Sequence, residues 1–176
     1  MTIESPKFEK KKINLTKKFR LNKLKKRVEE TTDKLGMPID AGIKEAVIAF
    51  NVWEFPTYQS CEGHFDKKGE AYPWVEILVP VPKGIKDNGK EEKERTLENL
   101  KHRKRMTGML GEFYKERKTS SDAKLSFSNI GIYGGFRIQS AGAEKMPLFS
   151  GKEQKEKLKL YRKEMDDFAK FLKKRK

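Results

Sequence analysis

The chain is 176 residues long, with 41 Lys and Arg against 26 Asp and Glu, a formal net charge of +15, and only 35% hydrophobic residues. That length suits one domain with a real core, and the high charge assigns much of it to solvated helix faces or mobile ends. The single cysteine excludes an internal disulfide and fits a reducing compartment, while no apolar stretch approaches the roughly 20 residues that a bilayer span needs.

Residues 1–12 hold Pro6, several lysines and little to bury, so a disordered basic tail is expected there, with one domain over 13–172. No apolar leader core follows Met1, and the protein is expected to be cytoplasmic. Thr16 is placed to cap a helix reaching about Leu35, with Leu21, Leu24, Val28 and Leu35 near one stripe and Gly36 as its stop. Asp40 is placed to cap a second helix carrying Ile43, Val47, Phe50 and Trp53, closed by Pro56. Thr57 to Cys61 reads as a short strand, and Trp74 to Val79, between Pro73 and Pro80, as another.

Pro82, Gly84 and Gly89 mark a loop before a charged helix over about Glu91 to Lys118, whose Leu97, Leu100, Met106, Leu110 and Phe113 face a core. Gly108 and Gly111 each weaken it by ~1 kcal/mol relative to Ala, which allows a break. Leu125 and Phe127 alternate with Ser126 and Ser128 as a strand, Gly131 to Gly135 turn, and Phe136 to Ser140 pairs back. Ser150 and Glu153 form a capping box for a last helix with Leu158, Tyr161, Met165, Phe168 and Leu172 on one face. Its lysine-rich end, 173–176, is expected to fray. The order α-α-β-β-α-β-β-α implies an α+β fold, about four strands in an antiparallel or mixed sheet packed with helices.

The sharpest chemical feature is Ser60-Cys61-Glu62-Gly63-His64, which follows a strand and opens a polar loop. A turn at Gly63 would bring the Cys61 thiol and the His64 imidazole together, making a thiolate nucleophile with Glu62 or Glu76 as an orienting carboxylate. Ser60 and Gly63 would contact a ligand through hydroxyl and backbone. Cys61, Glu62 and His64 supply only part of a metal site, and His102 lies in a basic helix, so no metal is assigned. The alternative is a tight turn around a buried Cys.

Three residues on the strands add to this set. Glu76 interrupts an apolar strand, and Arg137 and Gln139 share one strand face. An isolated strand Arg suits a carboxylate or phosphate. The competing reading is an Arg137–Glu76 ion pair with no ligand. Trp53, Tyr58, Tyr72 and Trp74 read first as core or pocket wall and second as base-stacking surfaces.

Charge is segregated. Residues 1–35 carry 12 Lys and Arg against 5 Asp and Glu, and residues 151–176 carry 11 against 5. Residues 36–90, which hold Cys61 and His64, carry 6 against 8. RNA or another polyanion is the partner such basic ends imply, and solubility is the bland alternative.

The stretch from Ala49 to His64, with Pro-Thr-x-x-Ser-Cys-Glu-Gly-His, followed by Pro73-Trp74-Val75, resembles an uncharacterised group of small prokaryotic proteins. The likeness covers about residues 40–80, with an echo at Arg137-Ile138-Gln139-Ser140, and implies a shared motif without a reaction. More distantly, Ser60, Cys61 and Gly63 are similar to the Ser-Cys-Ser-Gly-Arg element of wybutosine-synthesising protein 3, a family linked to methyl transfer from S-adenosylmethionine onto transfer RNA. Glu62 and His64 depart from that element, and no residue role passes from it to this chain.

Three function classes follow. One is a small enzyme or ligand-binding protein acting on RNA or a nucleotide, with group transfer as the reaction class. The others are a non-catalytic RNA-binding module, ribosome-associated in type, and a structural or partner-binding protein. No cofactor or oligomeric state is implied.

Overall fold

The computed structural model describes residues 21–33, 35–65, 71–81 and 89–175. The expected tail at 1–12, the Thr16 cap and the turn at Pro82 and Gly84 lie outside these residues. The first described helix, α1, covers 21–30. It ends five residues before the expected Leu35, because the Asp33 carboxylate accepts the backbone N–H groups of Leu35 at 2.8 Å and Met37 at 2.9 Å. An Asp side chain that bonds its own downstream backbone makes a turn in place of another helical turn. Leu35 is 86% exposed, so no burial opposes that turn.

Helix α2 spans Ala41–Val52, and strands β1 (Thr57–Cys61) and β2 (Trp74–Ile77) follow. Helix α3 runs from Gly89 to Tyr114 without a break. Gly108 and Gly111 lie on its exposed side with open space around them, so their cost is propensity alone, and the burial of Met106, Leu110 and Phe113 on the other side offsets it. Leu97 and Leu100, expected in the core, are about half exposed, 49% and 47%. Strands β3 (Leu125–Ile130) and β4 (Gly135–Ser140) form a hairpin, a short 3-10 helix covers Ala143–Leu148, and α4 runs from Gly151 to Arg175. Its capping box forms: Ser150 N–H donates to Glu153 Oε2 at 2.8 Å, and Glu153 N–H returns to Ser150 Oγ at 3.4 Å.

The fold is α+β. The sheet is antiparallel throughout, in the order β1-β2-β4-β3. On one face Val75 and Ile77 of β2 lie opposite Ile138 and Phe136 of β4. These four join Ile43, Val47 and Phe50 of α2, Met106 and Phe113 of α3, and Met165, Phe168 and Leu172 of α4 in one buried cluster. Each such side chain contributes about 1.5–3 kcal/mol on leaving water. Phe168 ties the helices together, 6.0 Å from Phe50 and 5.2 Å from Phe113 between ring centres. Among the described residues, no helix is long and apolar enough to cross a membrane.

The opposite sheet face is polar. Directly opposed residues share a face, so Cys61, Trp74, Gln139 and Ser126 form one row across the four strands, and Glu76, Arg137 and Ser128 form the next.

Candidate functional site

The segment after β1 turns sharply because Gly63 takes φ +83. A Cβ there would come within 2.7 Å of Leu158 Cδ1 and of the Tyr72 carbonyl carbon, so the turn is pressed against α4 and the strand entry. Two backbone donors then point inward. Gly63 N–H donates to Cys61 Sγ at 3.3 Å, and Glu62 N–H donates to Asp40 Oδ2 at 3.1 Å.

Asp40 is the residue that the sequence did not mark as part of a site. It stands at the N-terminus of α2 as expected, but its carboxylate caps no backbone N–H of that helix. It reaches across to Glu62 N–H and to His64, whose Nε2 lies 3.2 Å from Asp40 Oδ2. One ligand atom each from Asp40, Cys61 and His64 lies within 4.8 Å of the others. The thiol is buried and unbridged, while the imidazole and carboxylate are about one third exposed. The centre therefore has one closed side and one open side.

Glu62, read from the sequence as an orienting carboxylate, is placed outside this trio. Its Oε2 accepts Gly42 N–H at 2.6 Å in the first turn of α2, where the helix dipole favours negative charge. Its Oε1 pairs with Arg162 of α4 at 3.3 Å. The same guanidinium donates to the carbonyls of Glu62 at 2.9 Å and Gly63 at 2.6 Å. Glu62 and Arg162 together clamp the turn between two helices. No motif marked Arg162, since it sits in a helix crowded with lysines.

Arg137 and Glu76 face each other across β4 and β2, with Arg137 donating to Glu76 Oε1 at 2.9 Å and 3.3 Å. The competing reading of an ion pair is thus the observed contact. The guanidinium also stacks 3.9 Å from the centre of the Trp74 ring. Gln139 is buried opposite Trp74. The indole Nε1 and the Gln139 Oε1 are both buried without a hydrogen-bond partner, an arrangement that costs each group its lost hydration.

Ser60 lines a cleft of 410 Å³ along β1. Asp40, Tyr58, Asn51, Trp74 and Arg27 line it too. Asp40 thus belongs both to the trio and to the cleft wall. His102 lies elsewhere, on α3, 5.7 Å from the Phe55 ring centre. Burial and the neighbouring Arg105 hold its pKa below the ordinary histidine value.

Chemically, a carboxylate, a thiol and an imidazole within 4.8 Å of one another can act on a bound group by proton transfer or nucleophilic attack, or can hold a metal ion. Comparison with protein-family models, with curated proteins and with solved structures finds no match for this chain.

Proposed function

We propose that this protein binds a nucleotide or a single-stranded RNA segment in the cleft along β1, and that Asp40, Cys61 and His64 are the chemical centre acting on it, with group transfer as the reaction class. The observation that carries this reading is a shared residue: Asp40 belongs to the trio and also lines the 410 Å³ cleft. That volume is within the range of small-ligand pockets.

The lining suits a base and its phosphate. Tyr58, 60% exposed, offers a ring on which a base can stack. Trp74, its ring stacked against Arg137, lines the cleft with a buried indole N–H that lacks an acceptor. Arg27 lines the same cleft, and Lys23, Lys25 and Lys26 stand exposed on its helix. Such a row draws in a polyanion by long-range attraction.

The test is a titration of mononucleotides and short single-stranded RNAs into the Trp53→Phe variant, reading the remaining indole of Trp74. Expected are quenching on binding, an affinity for RNA that falls steeply with salt, and at least tenfold weaker binding for Tyr58→Ala. RNA binding that survives Tyr58→Ala and Cys61→Ala unchanged would favour a non-catalytic basic surface instead. No binding of either ligand at low salt would reject the reading.

A further inference from the structure

We infer that Asp40, Cys61 and His64 form a mononuclear site for a zinc-type divalent ion, with a fourth position open toward the cleft. The inference rests on the reading of this trio as the working centre and names the agent that does the work.

Geometry supports it first. A tetrahedral ion holds N and O ligands at about 2.0–2.2 Å and sulfur at about 2.3 Å, which places neighbouring ligand atoms roughly 3.3–3.7 Å apart. Asp40 Oδ2 and His64 Nε2 stand 3.2 Å apart, and all three ligand atoms fall within 4.8 Å of one another. An ion bound to all three needs the sulfur to close up by a side-chain rotation of an ångström or so.

The donor set selects the ion. Calcium and magnesium take oxygen ligands, and copper(I) takes soft sulfur ligands. One carboxylate, one thiolate and one imidazole are a mixed set that zinc and its cobalt surrogate accept. On binding, the thiol proton leaves to solvent, and the charges of carboxylate and thiolate balance the dication.

The surroundings hold the ligands as second partners of metal ligands do. Glu62 N–H fixes Asp40 Oδ2, and Gly63 N–H is aimed at the Cys61 sulfur. Both donors come from the turn that Arg162 clamps through the carbonyls of Glu62 and Gly63.

Among the described residues, no fourth His, Cys, Asp or Glu joins the three. Structural zinc sites are usually closed by four protein ligands, whereas catalytic sites keep three and leave one position for water or substrate. Because Asp40 also lines the cleft, that open position is where a bound ligand meets the ion.

The experiment uses the full chain, stripped with chelator and titrated with Co²⁺ and Zn²⁺. Expected are one ion per chain, a thiolate-to-cobalt charge-transfer band with the visible bands of a tetrahedral ion, and displacement of cobalt by zinc. Cys61→Ser should abolish the charge-transfer band, and His64→Ala and Asp40→Asn should each weaken binding at least tenfold, while His102→Gln binds like the parent. If a variant fails to fold by circular dichroism, the wild-type spectrum alone decides: a spectrum without a sulfur-to-metal band overturns the site. Binding unaffected by both Cys61→Ser and His64→Ala overturns it equally. Nucleotide titrations in parallel separate the two readings. A stoichiometric cobalt site in a protein that binds no nucleotide or RNA upholds the metal and removes the proposed substrate. Nucleotide binding by a protein that takes up no ion does the reverse.

Discussion

Arg137 lies directly across the sheet from Glu76, pairs with its carboxylate at 2.9 Å, and spreads its guanidinium 3.9 Å from the Trp74 ring. The Glu76 side chain is 8% exposed, and Arg137 is the cation paired with it. Removing one member of a buried pair costs about 3–5 kcal/mol, because the other charge stays behind uncompensated. Arg137→Ala is therefore expected to lower stability by about 3 kcal/mol or more, measured by urea unfolding. The double variant Glu76→Leu/Arg137→Met is expected to recover most of that loss. If it folds and still binds nucleotide like the parent, Arg137 acts only in the sheet; a fold that is intact but silent toward nucleotide would give the arginine a ligand as well.

Gly63 and Gly36 allow a cleaner comparison. Both sit at positive φ, +83 and +77, where a side chain costs about 1–2 kcal/mol of backbone strain. Around Gly36 nothing lies within 4 Å, whereas a Cβ on Gly63 meets Leu158 and Tyr72 at 2.7 Å. Gly36→Ala should cost about 1 kcal/mol, and Gly63→Ala about 3 kcal/mol once overpacking is added. Equal shifts in unfolding midpoint for the two variants would mean that the turn at Gly63 is not pressed against its neighbours.

These residues also show what the sequence could and could not convey. The period of Leu158, Tyr161, Met165, Phe168 and Leu172 names a helix and its buried face at once, and all five are buried. The alternation in β4 likewise separates Phe136 and Ile138 from Arg137 and Gln139. Register is different. That Glu76 meets Arg137, or that Trp74 meets Gln139, depends on which residues the hairpins bring level, and local pattern does not specify that. Asp40 was legible as a helix start but not as a neighbour of His64, because the alternative use of its carboxylate is set by a turn more than twenty residues away. Arg162 was hidden for the same reason: only the packing of α4 on that turn distinguishes it from the lysines around it.

A third expectation concerns Arg117, which grips Glu164 in a two-pronged contact at 3.1 Å and 2.8 Å and also reaches Asp167 at 2.6 Å. The Glu164 side chain is 3% exposed, the arginine 29%. Its two carboxylate partners drive the guanidinium pKa further above its ordinary value. Arg117→Lys keeps the charge but loses the planar fork, so it should cost about 1–2 kcal/mol, against about 3 kcal/mol for Arg117→Ala. Indistinguishable losses for the two variants would show that geometry, and not charge, holds α4 to the end of α3.

The acid limb of stability should report Asp122. Its carboxylate accepts from Lys157 and from the Tyr161 hydroxyl, the latter at 3.2 Å. The lysine, above all, holds its pKa below the ordinary aspartate value, with Ser120 and Tyr161 adding to the effect. A carboxyl group whose pKa is lower folded than unfolded contributes stability that is complete above the unfolded value, about 3.9, and that drains away as pH falls through the folded value. Melting temperature followed from about pH 6 to pH 2 should therefore drop for the parent chain below about pH 4. Asp122→Asn should start lower at neutral pH and fall less over that window, so that the two curves converge in acid. The other depressed carboxylates, Glu45, Glu98, Glu153 and Asp167, are common to both proteins and cancel in the difference. Curves that run parallel down to pH 2 would show that Asp122 carries no stabilising charge in the fold.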